Sequence, residues 1–299
     1  MKIRANGIDI EVEDTGAGVN SSGQERPAVV LIMGLAMQLV AWPAPFVQAL
    51  VDAGYRVIRF DNRDIGLSQH FDAAGTSNLL WAGLKMRLGL AVASGYSLSD
   101  MAQDTLGVMD ALKIPKAHIV GVSMGGMIAQ RVALAAPARV ASLTSIMSTC
   151  GARGLPQARA EVMRALLRRP TRLSEQSIGD FYVKLLKVIG SPAFPVSEAE
   201  VRARALLAFK RSYHPAGINR QMMAIVADSG RASALKNIAV PTLVVHGKAD
   251  ALVPFAHGQD THSRIARSKF LPIDGMGHDL PPGVIERLLG AMVPHFKAA

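Results

Sequence analysis

The chain contains a single cysteine, Cys150, so no disulfide can form within it and no cysteine framework organises the fold. Aromatic residues make up only 5% of it. Its basic clusters carry no aromatic interleaving and no recognised nucleic-acid motif, so no nucleic-acid partner is expected. Long apolar runs are missing too. The most apolar early helix candidate, residues 79–94, is interrupted by Lys85 and Arg87, too short and too charged for a membrane span, so no stable membrane insertion is expected. Residues 1–7 alternate and then turn without the apolar core of a leader, so no signal peptide is read and a cytoplasmic location is the expectation. No internal repeat, low-complexity tract or metal-ligand spacing of His, Cys, Asp and Glu is found.

What remains is 299 residues that are 49% hydrophobic, enough for one large α/β domain or two small ones. Acidic residues are outnumbered 23 to 33, for a net charge of +10. Arg153, Arg159, Arg164, Arg168, Arg169 and Arg172 crowd one stretch that reads as helix. A solvated helix face, or a surface attracting anionic substrates or membranes, accounts for them.

Along the chain, residues 2–14 alternate around Asn6-Gly7 as a hairpin. Continuous apolar runs at 27–33 and 55–60 read as buried strands, separated by a helix at 43–53. A helix at 97–112, capped by Ser97 or Ser99, precedes a strand at 117–120, a helix at 127–135 and a strand at 140–148. The rhythm then breaks. Helices at 157–168, 174–188, 197–213 and 216–228 succeed one another, punctuated by prolines. A strand at 239–245, a helix at 256–265, a strand at 269–273 and a last helix from 281 end the chain. Alternating strands and helices imply right-handed crossovers and a mostly parallel central sheet flanked by helices, an α/β fold with functional groups at the carboxyl ends of its strands. The expected core is 1–150 with 238–299. Residues 151–237 are read as a helical cap inserted between core strands.

One stretch organises the rest: Gly121-Val122-Ser123-Met124-Gly125, between an apolar strand and a helix. That context suits a nucleophile elbow, a tight turn that holds the serine in a strained conformation at the end of a sheet. Crowding there requires glycine at 121 and 125, where a Cβ would meet neighbouring backbone, and Gly126 lets the helix approach the sheet. A serine needs a base, and the base needs an orienting acid. Asp250 and His278 follow the last two strands and emerge at the same edge as Ser123, in the order Ser, Asp, His. Asp274 and Asp279 flank His278 and could replace Asp250, though loop carboxylates beside a helix start are more often caps. His246, His257 and His262 read as packed or surface histidines.

Taken together, these motifs resemble the α/β-hydrolase-fold serine hydrolases over essentially the whole length. Leu31-Ile32-Met33-Gly34, the segment 59–68 and Gly275-Met276-Gly277-His278 most resemble the carboxylesterase-like group that includes aclacinomycin methylesterase. The resemblance implies Ser123 as nucleophile, His278 as general base and acid, Asp250 as orienting carboxylate, and an oxyanion hole from the N–H groups of Leu35 and Met124. Many relatives have His-Gly where this chain has Met33-Gly34, so that histidine's side-chain role is absent. Asp61 and Arg63 resemble the family's structural turn. Relatives that open epoxides or remove halogen attack with aspartate, and Ser123 argues against both.

The activity implied is carboxylic ester hydrolysis through an acyl-enzyme, on small to medium apolar esters and with no cofactor. Met37, Met276, Met222 and Met223 are the expected pocket methionines, since this side chain adapts to varied apolar shapes; Met127 is assigned to core filling. Residues 79–93 could border the pocket mouth or be ordinary buried helix. A lactonase or thioesterase would use the same triad, and a non-catalytic protein of this fold could hold a ligand under its cap. A peptidase acting on free amino termini would need acidic cap residues, for which Glu161, Glu175, Glu198 and Glu200 are the candidates. The oligomeric state is left open.

Overall fold

The computed structural model describes every residue except 20–22, 24, 77–80, 82–84, 86–89, 91 and 169–171. The apolar stretch 79–94 therefore lies largely outside the described residues, as does Arg169. The hairpin forms as β1 (Lys2–Ala5) and β2 (Ile8–Asp14), paired antiparallel. Asn6 and Gly7 both take positive φ, 47° and 76°, which is the tight turn that joins twisted strands without splaying them. β3 (Ala28–Ile32), β4 (Arg56–Phe60), β5 (Ala117–Val122), β6 (Val140–Ile146), β7 (Thr242–Gly247) and β8 (Ser268–Ile273) are parallel, and the eight strands run β1-β2-β4-β3-β5-β6-β7-β8. β3, β5 and β7 are buried at every residue, as strands covered on both faces must be.

One face of the sheet packs on α2 (Leu98–Ala111) and α3 (Met124–Ala135), where Ile119, Ile128, Val132 and Met109 are fully buried. The other packs on α1 (Ala44–Asp52) and α10 (Pro282–Lys297), around Leu31, Trp42, Phe46, Val245 and Leu288. Each face thus receives alternate side chains of the same strands. Ser97 caps α2 in a reciprocal capping box with Asp100. Replacing it with alanine removes the hydroxyl that accepts the Asp100 N–H and leaves the Ser97 N–H bond to Asp100 in place, and chemical denaturation should find a loss of about 1 kcal/mol.

Between β6 and β7 run α4 (Ala160–Leu167), α5 (Glu175–Ile189), α6 (Glu198–Arg211), α7 (Pro215–Ala227) and the single turn α8 (Arg231–Ala234), and α9 (Ala256–Arg264) follows β7. The short α8 escapes sequence periodicity because four residues complete no amphipathic repeat. Arg153, Arg159, Arg164, Arg168 and Arg172 are all exposed, but only Arg164 lies within α4, so they spread over a helix and its flanking loops rather than lining the one helix face expected. No helix among the described residues is long and apolar enough to cross a membrane.

The helical insertion is tied to the core by buried charge. Arg220 of α7 makes a two-pronged ion pair with Asp64, both bonds 2.7 Å. Arg211 of α6 reaches Asp61 at 2.6 Å. Asp61, already accepting the N–H groups of Leu39 and Leu67, has its pKa pushed up by burial in spite of these partners. Arg63 pairs instead with Asp104 of α2, and fixes the loop after β4 to the core.

Candidate active site

Ser123 stands between β5 and α3 with φ 55° and ψ −120°, a region that side chains other than hydrogen rarely occupy and that costs about 1–3 kcal/mol. The surroundings leave it little choice. A Cβ on Gly121 would lie 2.1 Å from the Gly125 carbonyl oxygen, and one on Gly125 would lie 2.1 Å from that of Ile32. Gly126 faces the Ser148 side chain, which a Cβ would meet at 2.6 Å. The Ser123 N–H donates to Ile146 O at 2.9 Å, and Ser148 Oγ donates to Ser123 O at 2.7 Å. Backbone and neighbours together hold the turn.

The loops after β7 and β8 bring the other two groups to this edge. Ser123 Oγ lies 3.0 Å from His278 Nε2, and His278 Nδ1 lies 2.7 Å from Asp250 Oδ2. Asp250 is itself fixed, since Oδ1 accepts the N–H groups of Leu252 and Val253 at 2.9 and 2.8 Å. An acceptor at Nδ1 fixes the histidine tautomer and leaves the Nε2 lone pair facing the serine hydroxyl. Such a chain can remove a proton from Ser123 and return it elsewhere. The flanking carboxylates are engaged otherwise: Asp274 pairs with Lys248 at 2.8 Å, and Asp279 accepts from Ser191 Oγ. His246 is fully buried, donates Nε2–H to Val253 O at 2.8 Å and lies 3.7 Å from Asp250. Desolvation lowers its pKa, so it braces the Asp250 loop as a neutral ring. His257 bridges Thr149 and Pro156, and His262 bonds Ser268.

The turn after β3 adjoins the serine: a Cβ on Gly34 would come within 3.1 Å of Ser123 Cβ. Among the described residues neither the Leu35 N–H nor the Met124 N–H has an acceptor within the protein. Three amides and carbonyls around that turn are clamped. Asn62 Nδ2 donates to Met33 O at 2.9 Å, while the buried Gln221 accepts the Ala36 N–H at 3.1 Å and donates to Arg63 O at 3.0 Å. Ala36 takes φ 65°, a strain these bonds sustain. Sequence reading misses Gln221 because its partners lie 185 and 158 positions away and no local pattern marks it, and it gives Asn62 only as part of the segment 59–68, with no role of its own.

The expected methionines divide. Met37 is 39% exposed and Met222 half-buried, whereas Met223 is buried. Met276 departs from expectation: it has no accessible surface and packs in the core between the sheet, α1 and α10. A side chain that no water can touch lines no open pocket. Glu161, Glu175 and Glu198 are exposed and Glu200 is half-buried, each paired with a basic neighbour of the insertion.

One group with metal-ligand chemistry exists among the described residues, His70, Asp72 and His214, with ligand atoms within 4.8 Å of one another. The imidazoles stack face to face, 3.9 Å between centroids and 8° between planes. Their in-plane lone pairs therefore run parallel and do not converge on one point. His214 Nε2 instead faces Asp72 Oδ1 at 2.8 Å, while its Nδ1 accepts the Gly217 N–H and caps α7. The grouping joins residues 144 positions apart, beyond any sequence motif.

Residues 27–281 match the family model described as alpha/beta hydrolase fold. The chain is 28% identical over 304 aligned positions to rhodomycin D methylesterase DnrP of Streptomyces peucetius, covering 93% of this chain and 95% of that one. Among solved structures, the meta-cleavage product hydrolase CumD of Pseudomonas fluorescens is similar with a TM-score of 0.75 at 22% identity, covering 100% of this chain and 97% of that one. A thermophilic esterase from Thermogutta terrifontis is similar with a TM-score of 0.72 at 23% identity, covering 100% and 98%.

Proposed function

The chain belongs to the α/β-hydrolase fold family, and from that premise we propose that it is a serine carboxylic ester hydrolase acting on small to medium apolar esters. The observation that carries this reading is the unbroken relay from Ser123 Oγ through His278 to Asp250, at 3.0 and 2.7 Å. The methylesterase named among its relatives supports the ester class.

In this mechanism His278 Nε2 takes the Ser123 proton as Oγ attacks the ester carbonyl. The carbonyl oxygen becomes an oxyanion, received by the N–H groups of Leu35 and Met124. Among the described residues neither has another acceptor to give up, so the charge is met by dipoles already in position. Met124 also opens α3, and the positive end of that helix favours the same charge. His278 returns its proton to the departing alcohol, and the acyl group stays on Ser123. Water then repeats the sequence: His278 takes its proton, the second tetrahedral species collapses with cleavage of the Oγ–acyl bond, His278 returns the proton to Ser123 Oγ, and the acid leaves. Asp250 stabilises the imidazolium in both halves and keeps the ring in one tautomer. Residues 151–237 act as a cap over the carboxyl edge, anchored through Arg211, Arg220 and Gln221. Met37 and Met222 contribute adaptable apolar surface.

Two measurements test the reading together. A fluorophosphonate should form one adduct per chain, located by peptide mass analysis on Ser123, and a p-nitrophenyl ester series should show turnover peaking at one acyl length. A folded protein that takes no label at Ser123 would not be a serine hydrolase. Turnover rising without limit along the series would dispense with a bounded acyl pocket.

A further inference from the structure

The loop that carries His278 is gripped from outside the core. Met276 is tied to it, since Met276 O accepts the Ala249 N–H at 3.0 Å. The next three residues turn to the end of α5 and the turn behind it. Gly277 N–H donates to Ser191 Oγ at 2.8 Å, His278 N–H donates to Ile189 O at 2.7 Å, and Ser191 Oγ donates to Asp279 Oδ1. Ala193 N–H closes the contact on Gly275 O at 3.2 Å. The two segments could not be closer: a Cβ on Gly277 would lie 2.2 Å from Gly190 O, and one on Gly275 would lie 2.2 Å from Ala193 Cβ.

Ser191 is buried, and its single hydroxyl bonds the residue before His278 and the residue after it. We infer that Ser191, from the helical insertion, is a positioning residue for His278, fixing its loop so that Nε2 stays in line with Ser123. This rests on the serine-hydrolase reading for its catalytic consequence and on the hydrogen bonds alone for its mechanical one. Three features favour positioning over simple packing. The hydroxyl is satisfied as donor and as acceptor at once. Both partners are sequence neighbours of one histidine. The core supplies no replacement, because the backbone N–H groups of Gly277 and His278 both point to the insertion. A corollary is that α5 cannot swing away at this edge without releasing His278, so substrate enters elsewhere.

The test compares wild type, Ser191→Ala and Ser191→Thr by amide hydrogen exchange over residues 275–279 and by ester turnover normalised to the sites a fluorophosphonate labels. In Ser191→Ala the loop should exchange faster, and kcat per labelled site should fall about 10–100-fold, the scale of a misplacement near 1 Å. KM should stay within about threefold, since substrate contacts are untouched. Ser191→Thr, which keeps the hydroxyl, should restore both. A role confined to stability would lower the unfolding midpoint and the labelled fraction but leave kcat per labelled site unchanged, and that result overturns the inference. So does unchanged exchange over 275–279. Should the alanine variant fail to fold, Ser191→Cys, which keeps a weaker donor of similar size, takes its place. If wild type neither labels nor turns over, the hydrolase reading fails, while the exchange comparison still decides whether Ser191 holds the loop.

Discussion

Ser123→Ala should lose ester turnover by a factor on the order of 10⁵ or more in kcat, with the fold intact. The hydroxyl is the only atom removed, and the remaining acceleration is what the free N–H pair and binding supply to a water attack. His278→Ala should cost about as much, and the double variant little more than either, because the two groups act as one unit. Stability separates this site from an ordinary turn. Ser123 holds φ 55° and ψ −120°, where alanine is strained as serine is and glycine is not. Ser123→Gly should therefore be more stable than wild type by about 1 kcal/mol while equally inactive. The pair of measurements is steady-state hydrolysis beside denaturant unfolding. Full turnover in Ser123→Ala would end the serine mechanism, and a destabilised Ser123→Gly would mean that the turn carries no strain.

Much of this site is legible in sequence because its requirements are local. Glycines at 121 and 125 answer a crowding that any serine in such a turn meets, and the structure puts backbone oxygens 2.1 Å from where their Cβ atoms would be. A run such as Ala28–Ile32 announces a buried strand by uniform apolarity, and the end of such a strand fixes where its loop emerges. Other features answer to no local pattern. Gln221 reaches Ala36 across 185 positions and Ser191 reaches Gly277 across 86. A glutamine inside an amphipathic helix and a serine in a Gly-Ser-Pro turn have the composition of surface residues, and only the docking of insertion on core buries them. Met276 errs the other way. A methionine beside His278 has the composition of a pocket wall, yet the loop that follows β8 packs that side chain into the core.

The same docking sets the largest stability effect expected outside the relay. Arg220 and Asp64 are 4% and 0% exposed and bonded through both guanidinium edges at 2.7 Å. Asp64 also accepts the Phe71 N–H at 2.8 Å, and Arg220 reaches Gly75 O at 3.0 Å. Arg220→Ala strands a carboxylate in the interior, which costs about 3–5 kcal/mol when a buried pair is broken from one side. Removing both charges is a different experiment. Asp64 takes φ 70°, which asparagine tolerates, so Asp64→Asn with Arg220→Met should recover most of the loss. The pH dependence fixes the sign. Burial by itself would raise the Asp64 pKa, but the Arg220 and Phe71 hydrogen bonds hold it below the ordinary carboxylate value. Wild type thus draws stability from this group above an unfolded pKa of about 3.9 and loses it as pH falls through the lower folded value. In Arg220→Ala only the Phe71 and Tyr96 hydrogen bonds still oppose burial, so the folded pKa moves upward and the penalty fades as pH falls toward 4. The gap between the two proteins should therefore be widest at neutral pH and shrink in acid. Urea unfolding at pH 7 and pH 4 measures it, and a gap that widens in acid would mean that Asp64 is not the charge Arg220 holds.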